Sequence, residues 1–572
     1  MSWPWQFVDL DDAQKIARRH ALDRYALVAQ LSALAPVIAF LLYRATKWAI
    51  AKATGLSRGS YSALPGSPVA KQRRSTSIGS WTARWRKLAW WLSDDIVILG
   101  WNWGPRDQMI GGVIWGLWLC ALSVKDTGND YLHLTKRLGI VGVSQFPVQY
   151  LLSLKNLNPF APIFNSSHEE INRWHRTLGR VIYVLLSLHA FLYFNFYWQN
   201  NLLGQKITSL VPLLGFTAAF AMHLLSGTAL SVVRQYSYRV FFITHLIVAL
   251  ALPPIIYFHA HHSSFYVWEA LVVFIADIAS RRIGTVVADT KVELIPGTDL
   301  LKLTGSIPSD KIDKFAKNPG THIYLSVPPA SRPDRNPIAA AHLVFECTFN
   351  PFSVAAVDET SGSLTLVARQ HSGPMTTAFS HFASNVDGEA KVKLAFDGPY
   401  GCAKRFPNFA SPEFDRILLV AGGVGATFTL PLYRWILSEN PSARVQMVWA
   451  VREAGEATWP TSGSGKGIVD DDNIQLFLTG DILAGENVGD SSRVSVDEVE
   501  LRTLSGQQQS RRSTTRPDLQ NIVDSVFKQG LEERIAVLVC GPHTMARELR
   551  THVGAWVDKG RYVWWHNESF EW

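Results

Sequence analysis

Two histidines fourteen residues apart on one apolar run, and the same spacing again further along, constrain this chain more than any other feature. The first run, NRWHRTLGRVIYVLLSLHAFLYFNFYW from Asn172 to Trp198, carries His175 and His189. The second, FFITHLIVALALPPIIYFHAHH, carries His245 and His259. At ~100° per residue, fourteen steps return to within about 40° of the starting direction, so both imidazoles of a helix face one way. At ~1.5 Å per residue they stand about 21 Å apart along the axis, most of the depth of a bilayer core. Ionisable side chains in such runs are costly and mark function. Two pairs at one spacing can ligate two stacked metal centres across a membrane. Bis-imidazole ligation of a porphyrin needs one His from each side, so haem suits the pattern better than a bare ion. His223, on the run between them, has no partner at that spacing and reads as structural.

Composition narrows the class. The chain has 572 residues, 47% hydrophobic, with 21 Trp and 29 Phe, which implies several domains and a mixture of membrane and soluble parts. The net charge of +8 falls largely in loops beside apolar runs, and no aromatic-basic nucleic-acid motif occurs. Four scattered cysteines, Cys120, Cys347, Cys402 and Cys540, form no CxxC and support neither a disulfide framework nor a zinc site. The N-terminus lacks the pattern of a signal peptide.

Seven apolar runs lie near 26–50, 109–124, 137–154, 175–198, 208–232, 239–260 and 265–280; the second and third are short and contain Gly and Pro. The loop from Ala51 to Arg106 carries nine Lys and Arg residues against Asp94 and Asp95, which makes it cytosolic by the positive-inside rule. Its Gly/Ser/Pro-rich start reads as disordered. Its later part, WTARWRKLAWWL, mixes Trp with Arg and Lys and reads as a helix lying in the membrane interface. Met1 is then outside, both histidine helices run from cytosol to exterior, and everything after Arg281 is cytosolic. Parallel helices pair His175 with His245 near the inner face and His189 with His259 near the outer face.

After Ile283 short β-patterned runs follow (TKVELIP, LLKLTG, THIYLSVP, AHLVFECTF, GSLTLVARQ, KVKLAFDGPYG), a small antiparallel β domain. From Phe414 the pattern is strand, Gly turn, helix, which indicates a parallel sheet with crossover helices. Ala484–Arg516 is rich in Ser, Gln, Gly and charge and reads as an insertion without stable structure. The domains expected are 1–107 (N-terminus, first span and basic loop), 108–284 (a six-helix haem bundle), 285–412 (β domain) and 413–572 (nucleotide domain).

The turn AGGVGAT, Ala421 to Thr427, follows a strand and opens a helix, an arrangement that lets backbone approach a pyrophosphate. VLVCGP ends a later strand of the same sheet with Cys540, Gly541 and Pro542. Arg452 and Arg516 are candidates to read a 2′-phosphate; a solvated loop Arg fits Arg452 equally well. FNPFSV (Phe349 to Val354) and HSGPMTTAF (His371 to Phe379) read as turn-rich segments after strands, with Thr376 an N-cap after glycine. Arg173, Arg176 and Arg180 flank the inner histidine, either as partners of haem propionates or as ordinary positive-inside anchors.

Together these residues resemble the ferric reductase and NADPH oxidase superfamily, and more closely its fungal ferric-chelate reductases, from about Gln108 to the C-terminus. The resemblance implies an α-helical transmembrane haem bundle followed by a cytosolic ferredoxin-reductase-like module, an antiparallel β-barrel FAD domain plus an α/β parallel-sheet NADP domain. It assigns the haem irons to His175, His189, His245 and His259. Its flavin motif matches Pro351, Phe352 and Ser353, with Asn350 where the family has histidine. Gly373 and Thr376 match its flavin-phosphate segment, without the tryptophan, and Gly398 to Gly401 its Gly-Pro-Tyr-Gly turn. Gly422, Gly423, Gly425, Thr427, Arg516, Cys540, Gly541 and Pro542 match its nucleotide motifs. The tail HNESFEW implies that Phe570 or Trp572 covers the flavin ring.

The activity implied is transfer of electrons from cytosolic NADPH through FAD and two b-type haems to exoplasmic ferric or cupric chelates. It needs no side-chain nucleophile or acid-base pair. An iron permease with its ferroxidase, or a copper transporter, would take up the product at a plasma or vacuolar membrane. His261 and His262, just past the outer ligand, either receive the chelate or sit at the interface without a ligand. The alternatives are an NADPH oxidase that reduces dioxygen to superoxide, and a non-catalytic haem sensor with decayed nucleotide domains.

Overall fold

The computed structural model describes residues 4–53, 81–98, 101–332, 350–371, 373–384, 391–401, 403–411, 413–461, 471–480, 512–513, 516–530 and 533–569. They form two compact units, one of residues 1–60 and 92–283, the other of 61–91 and 284–571.

The first unit is helical. Among the described residues six helical segments are long and apolar enough to cross a membrane: Asp12–Ile50, Arg106–Val124, His168–Gln199, Leu210–Thr228, Tyr238–His259 and His261–Gly284. The first bends between helices Asp12–Ser32 and Ala35–Ala53. The run expected over 137–154 is instead two helices, Tyr131–Val143 and Phe146–Ser153. Pro147 explains the break, because it cannot donate to the Val143 carbonyl and its ring crowds that turn. The pair starts earlier than hydropathy suggests because Asp130 caps it, accepting from the His133 N–H at 3.0 Å. Arg137 is fully buried there. It donates to Leu122 O at 3.1 Å, meets His133 Nε2 at 2.8 Å and stacks on Tyr25 at 4.1 Å, while among the described residues its Nε has no partner. A buried Asp277 on the last helix accepts from the N–H groups of Asn156 (2.9 Å) and Leu157 (2.8 Å) and ties that helix to the loop after Ser153. Strands β1 (Asp95–Ile98) and β2 (Trp101–Pro105) form a hairpin before the Arg106–Val124 helix.

The second unit opens with a barrel. Strands β3 (Val286–Leu294), β4 (Leu300–Ser306), β5 (His322–Ser326), β6 (Asn350–Asp358), β7 (Ser363–Arg369) and β8 (Val392–Tyr400) close in the order β3-β4-β7-β6-β5-β8, antiparallel throughout. Inward Leu301, Leu303, Ile323, Leu364 and Leu394 pack with Met375 and Phe379 of the helix Pro374–Ser384. FNPFSV, expected as a turn, supplies the start of strand β6. A proline is tolerated there because Pro351 pairs with Tyr324 of β5, while the ladder to β7 begins only at Val354. The expected strand AHLVFECTF lies outside the described residues.

The parallel sheet comprises β9 (Arg416–Gly422), β10 (Val445–Val451), β11 (Ile474–Leu478), β12 (Arg512–Ser513), β13 (Ile535–Cys540) and β14 (Val563–Glu568), ordered β12-β11-β10-β9-β13-β14. Alternate residues face opposite layers: Leu419 and Trp449 pack on Phe428 and Ile436 of the Ala426–Glu439 helix. Leu418, Val420 and Val537 pack on Val523, Phe527 and Leu549 of the helices Leu519–Lys528 and His543–Asp558. Helices on both faces bury the strands on both sides, which is why these strands read as unbroken apolar runs. Of the stretch 484–516, expected as an insertion without stable structure, only 512–513 and 516 are among the described residues, and 512–513 form β12. Its backbone pairs with Leu476 and Phe477, a contact that does not depend on apolar side chains.

The Trp/Arg segment of the basic loop is a helix, Trp81–Leu92, as expected. By its contacts it belongs with the parallel sheet: Trp90 packs edge-on against Trp565 of β14 at 5.8 Å.

Candidate functional site

The His168–Gln199 helix starts at Ser167, whose side chain accepts from the Glu170 N–H. Beside it runs the Tyr238–His259 helix. The structure brings His175 to His245, ring centroids 6.1 Å apart, and His189 to His259, 6.5 Å apart. A ring centroid lies about 1.1 Å from its nitrogen and a metal–imidazole bond is about 2.0–2.1 Å, so a metal held between two imidazoles would put their centroids about 6.3 Å apart. Both pairs have that spacing.

Three of the four imidazoles are oriented through Nδ1. His175 Nδ1 meets Gln149 O at 2.9 Å, His189 Nδ1 meets Thr135 O at 2.7 Å, and His259 Nδ1 meets Val211 O at 2.8 Å. An Nδ1–H donated to a carbonyl leaves Nε2 as the nitrogen that could take a metal and raises its basicity; for His175 that nitrogen also lies 3.4 Å from Gln149 Nε2. Among the described residues His245 Nδ1 has no such partner; its ring lies against Phe241 at 5.3 Å.

Glycines make two of these bonds possible. A Cβ on Gly139 would lie 2.6 Å from His189 Nδ1, and one on Gly215 would lie 2.6 Å from His259 Cε1. Each glycine sits four residues after the accepting carbonyl, Thr135 or Val211. Without a side chain there, the carbonyl can serve both its own helix and the imidazole. The motif reading missed Gly139 and Gly215; the signal available was a glycine inside an apolar run, which is unfavourable unless something packs against it.

The neighbouring residues sort differently. His223 meets its own helix at Ala219 O (2.7 Å) and stacks edge-on with Tyr183 at 5.3 Å. Arg173 pairs with Asp107 at 3.6 Å, while Arg176 and Arg180 lie within electrostatic range of a third cation, Arg234. His262 Nδ1 accepts from the Arg19 guanidinium at 2.6 Å, and His261 packs on Tyr257.

On the barrel, Phe352 packs on Phe379 at 6.0 Å and Ser353 is buried opposite His322. Tyr400 donates to Asp397 at 2.6 Å within the turn Gly398–Gly401. Gly401 adopts φ +109°. Thr376 is not the N-cap. The helix begins at Pro374, a favoured first position, so Gly373 takes the cap and Thr376 lies in the first turn. Its hydroxyl donates to His371 O at 2.7 Å and shapes the preceding loop.

At the sheet, the strand order reverses between β9 and β13, the point where open α/β sheets bind ligands. Gly422 ends β9 and Gly423, at φ +53°, starts the turn into the helix. Gly425 lies directly against the Cys540 carbonyl, and a Cβ on Gly541 would lie 2.9 Å from the Gly422 nitrogen. The two motifs therefore form one close-packed cradle. Thr427 is buried and donates to Val424 O at 2.8 Å; Pro542 opens the His543–Asp558 helix. Arg452 and Arg516 are both exposed. Phe570 and Trp572 lie outside the described residues.

Two groups at this cradle escaped the motif reading. Buried Glu456 pairs with Arg369 of β7 beside Gly423 and also accepts from the Arg452 N–H at 3.2 Å. Trp449 Nε1 donates to Gly423 O at 3.0 Å and pins the turn. Cys540 is 1% exposed, and burial, with Glu568 nearby, pushes its thiol well above the usual range. It stays protonated at neutral pH. Iodoacetamide is therefore expected to modify Cys540 only once the fold opens; rapid labelling of native protein, read by peptide mass, would contradict this placement.

Residues 138–256 match the family described as "Ferric reductase like transmembrane component". Residues 285–404 match "FAD-binding domain", and 414–554 match "Ferric reductase NAD binding domain". "Ferric/cupric reductase transmembrane component 2" of Schizosaccharomyces pombe is 22% identical over 468 residues, covering 76% of this chain and 80% of its own. "Ferric reductase transmembrane component 1" of the same organism is 22% identical over 465 residues, 76% of this chain and 79% of its own. "Probable cell surface ferric reductase kap2" of Aspergillus oryzae is 25% identical over 361 residues, 57% of this chain and 44% of its own. With a helical membrane unit, a six-stranded barrel and a parallel nucleotide-type sheet in that order, the chain carries a ferric reductase-like transmembrane component, an FAD-binding domain and a ferric reductase NAD-binding domain.

Proposed function

We propose that this chain is an NADPH-dependent transmembrane metalloreductase that delivers electrons through FAD and two b-type haems to ferric or cupric chelates outside the cell. The observation that carries the reading is the pair of imidazole couples at 6.1 and 6.5 Å. Haem held between each couple would supply one-electron transfer, and FAD on the barrel would accept hydride and release electrons singly.

The chain's own residues do the positioning. Gln149, Thr135 and Val211 hold three of the ligand imidazoles through their carbonyls. Arg176, Arg180 and Arg234 gather positive charge beside the inner couple, which anions such as propionates would neutralise. Pro351, Phe352, Ser353, Gly373 and Thr376 line the flavin side of the barrel. Gly422, Gly423, Gly425, Thr427, Cys540, Gly541 and Pro542 form the nucleotide cradle, with Arg452 and Arg516 available to a 2′-phosphate. The two helices Tyr131–Val143 and Phe146–Ser153 together would make a seventh crossing. The basic loop then lies in the cytosol with the nucleotide domain. The relative named for the cell surface favours the plasma membrane.

Purified protein in liposomes, given external NADPH and internal ferric citrate, is expected to form ferrous iron inside. Rapid superoxide formation with negligible ferrous product would overturn the metalloreductase reading in favour of an oxidase. Failure of NADPH to bleach bound flavin would overturn both.

A further inference from the structure

The Trp81–Leu92 helix has two aromatic faces. One is occupied. Ala83 is buried, the Arg550 guanidinium sits 4.3 Å over the Trp90 ring, and Arg550 Nη2 donates to Trp90 O at 3.2 Å. Arg86 donates to Gly560 O at 3.3 Å and lies 5.6 Å over Tyr562. Gly554 lets the Trp90 indole approach: a Cβ there would lie 2.9 Å from its Nε1. Ala83, Arg86 and Trp90 fall within about 60° of one another around the helix and grip the sheet domain.

Among the described residues the opposite face is open. Trp81, Trp85 and Leu88 lie within about 60° of one another, centred about 180° from the gripped face. They are 69%, 57% and 42% exposed. Arg84 and Lys87 are exposed on its flank. A helix whose polar side faces water has no reason to expose two tryptophans. An exposed Trp/Leu stripe edged by Arg and Lys is the composition that settles at the headgroup level of an anionic bilayer. No Asp or Glu occurs on this helix, so its charge is complementary to acidic lipid and to no cation-bearing partner.

We propose that this helix is a two-sided strap, holding the nucleotide domain by Ala83, Arg86 and Trp90 and seating Trp81, Trp85 and Leu88 in the anionic cytosolic surface of the bilayer. The nucleotide domain is thereby held at the membrane by a contact separate from the chain connection at Gly284. The inference uses no cofactor residue and rests on the proposed function only for the cytosolic side of this loop.

The test is carried out on the full chain in phosphatidylcholine nanodiscs, with and without phosphatidylserine. An environment-sensitive fluorophore is placed at Leu88→Cys, and in a second sample at Lys314→Cys on an exposed helix of the barrel. Doxyl-phosphatidylcholine is expected to quench the label at position 88 about twofold or more over the label at 314, and phosphatidylserine to increase the difference. Arg84→Glu with Lys87→Glu should abolish that increase. Equal or absent quenching at the two positions overturns the proposal. So does a shielded label at 88 that doxyl lipid cannot quench, which would assign the face to protein.

Discussion

Replacing His189 with leucine is expected to abolish reduction of an external chelate while leaving NADPH-driven flavin reduction intact. Leucine keeps the span apolar and close in volume, so the helix should persist. The Thr135 carbonyl loses the imidazole but keeps its own helical partner, which limits the structural cost to about 1 kcal/mol. The specific loss is one member of the 6.5 Å couple with His259. The reduced-minus-oxidised haem signal should fall by about half, since one of two bis-imidazole sites survives. External activity should fall by about a hundredfold or more. Unchanged external activity would refute the outer assignment, and a full haem signal would refute ligation by His189.

Enlarging Gly139 or Gly215 carries the second large effect. A valine at 139 would drive the His189 ring away from Thr135 O, and one at 215 would do the same to His259 and Val211 O. Overpacking costs about 1–3 kcal/mol. Loss of the orienting bond typically weakens metal affinity by about 10–100-fold. A ligand that no longer donates through Nδ1 is less basic and stabilises the ferric state less. The outer midpoint potential should therefore rise, alongside weaker haem retention. Gly142 supplies the control: its Cβ would meet the Leu186 side chain, Cδ2 at 2.9 Å and Cγ at 3.2 Å, and Leu185 Cβ at 3.6 Å, but no imidazole. Gly142→Ala should leave the potentials unchanged. If Gly139→Val leaves the outer potential and haem content at wild-type values, the glycines do not set the imidazoles.

What could be read beforehand was whatever repeats. The fourteen-residue histidine spacing, the strand alternation before Phe414 and the strand–Gly–helix order after it each follow from a local period, and the fold class is as read. What escaped depends on partners distant in the chain. Arg137 masked the start of the Tyr131–Val143 helix because its burial is compensated by Leu122 and Tyr25. Glu456 meets Arg369 across 87 positions, and no motif connects them. Trp90 reads as an interface residue by composition, yet its ring belongs to Arg550 and Trp565. Pro351 argued for a turn because a sequence does not show which edge of a strand is unpaired. For the site, histidine spacing exposed the two pairs, whereas the glycines that aim them were visible only once the helices stood side by side.

The rise from His175 to His189 has a further consequence. About 21 Å of helix separates the two couples, roughly two-thirds of a ~30 Å hydrocarbon core. A charge that passes between them crosses that share of the electric field. Moving one elementary charge through the whole field is worth about 2.3 kcal/mol per 100 mV, so this passage carries about 1.6 kcal/mol per 100 mV. With the cytosol negative, outward movement of an electron is the favoured direction. By the proposed route turnover would be electrogenic: it would draw on the resting voltage of its membrane, depolarise that membrane as it works, and slow as the voltage collapses.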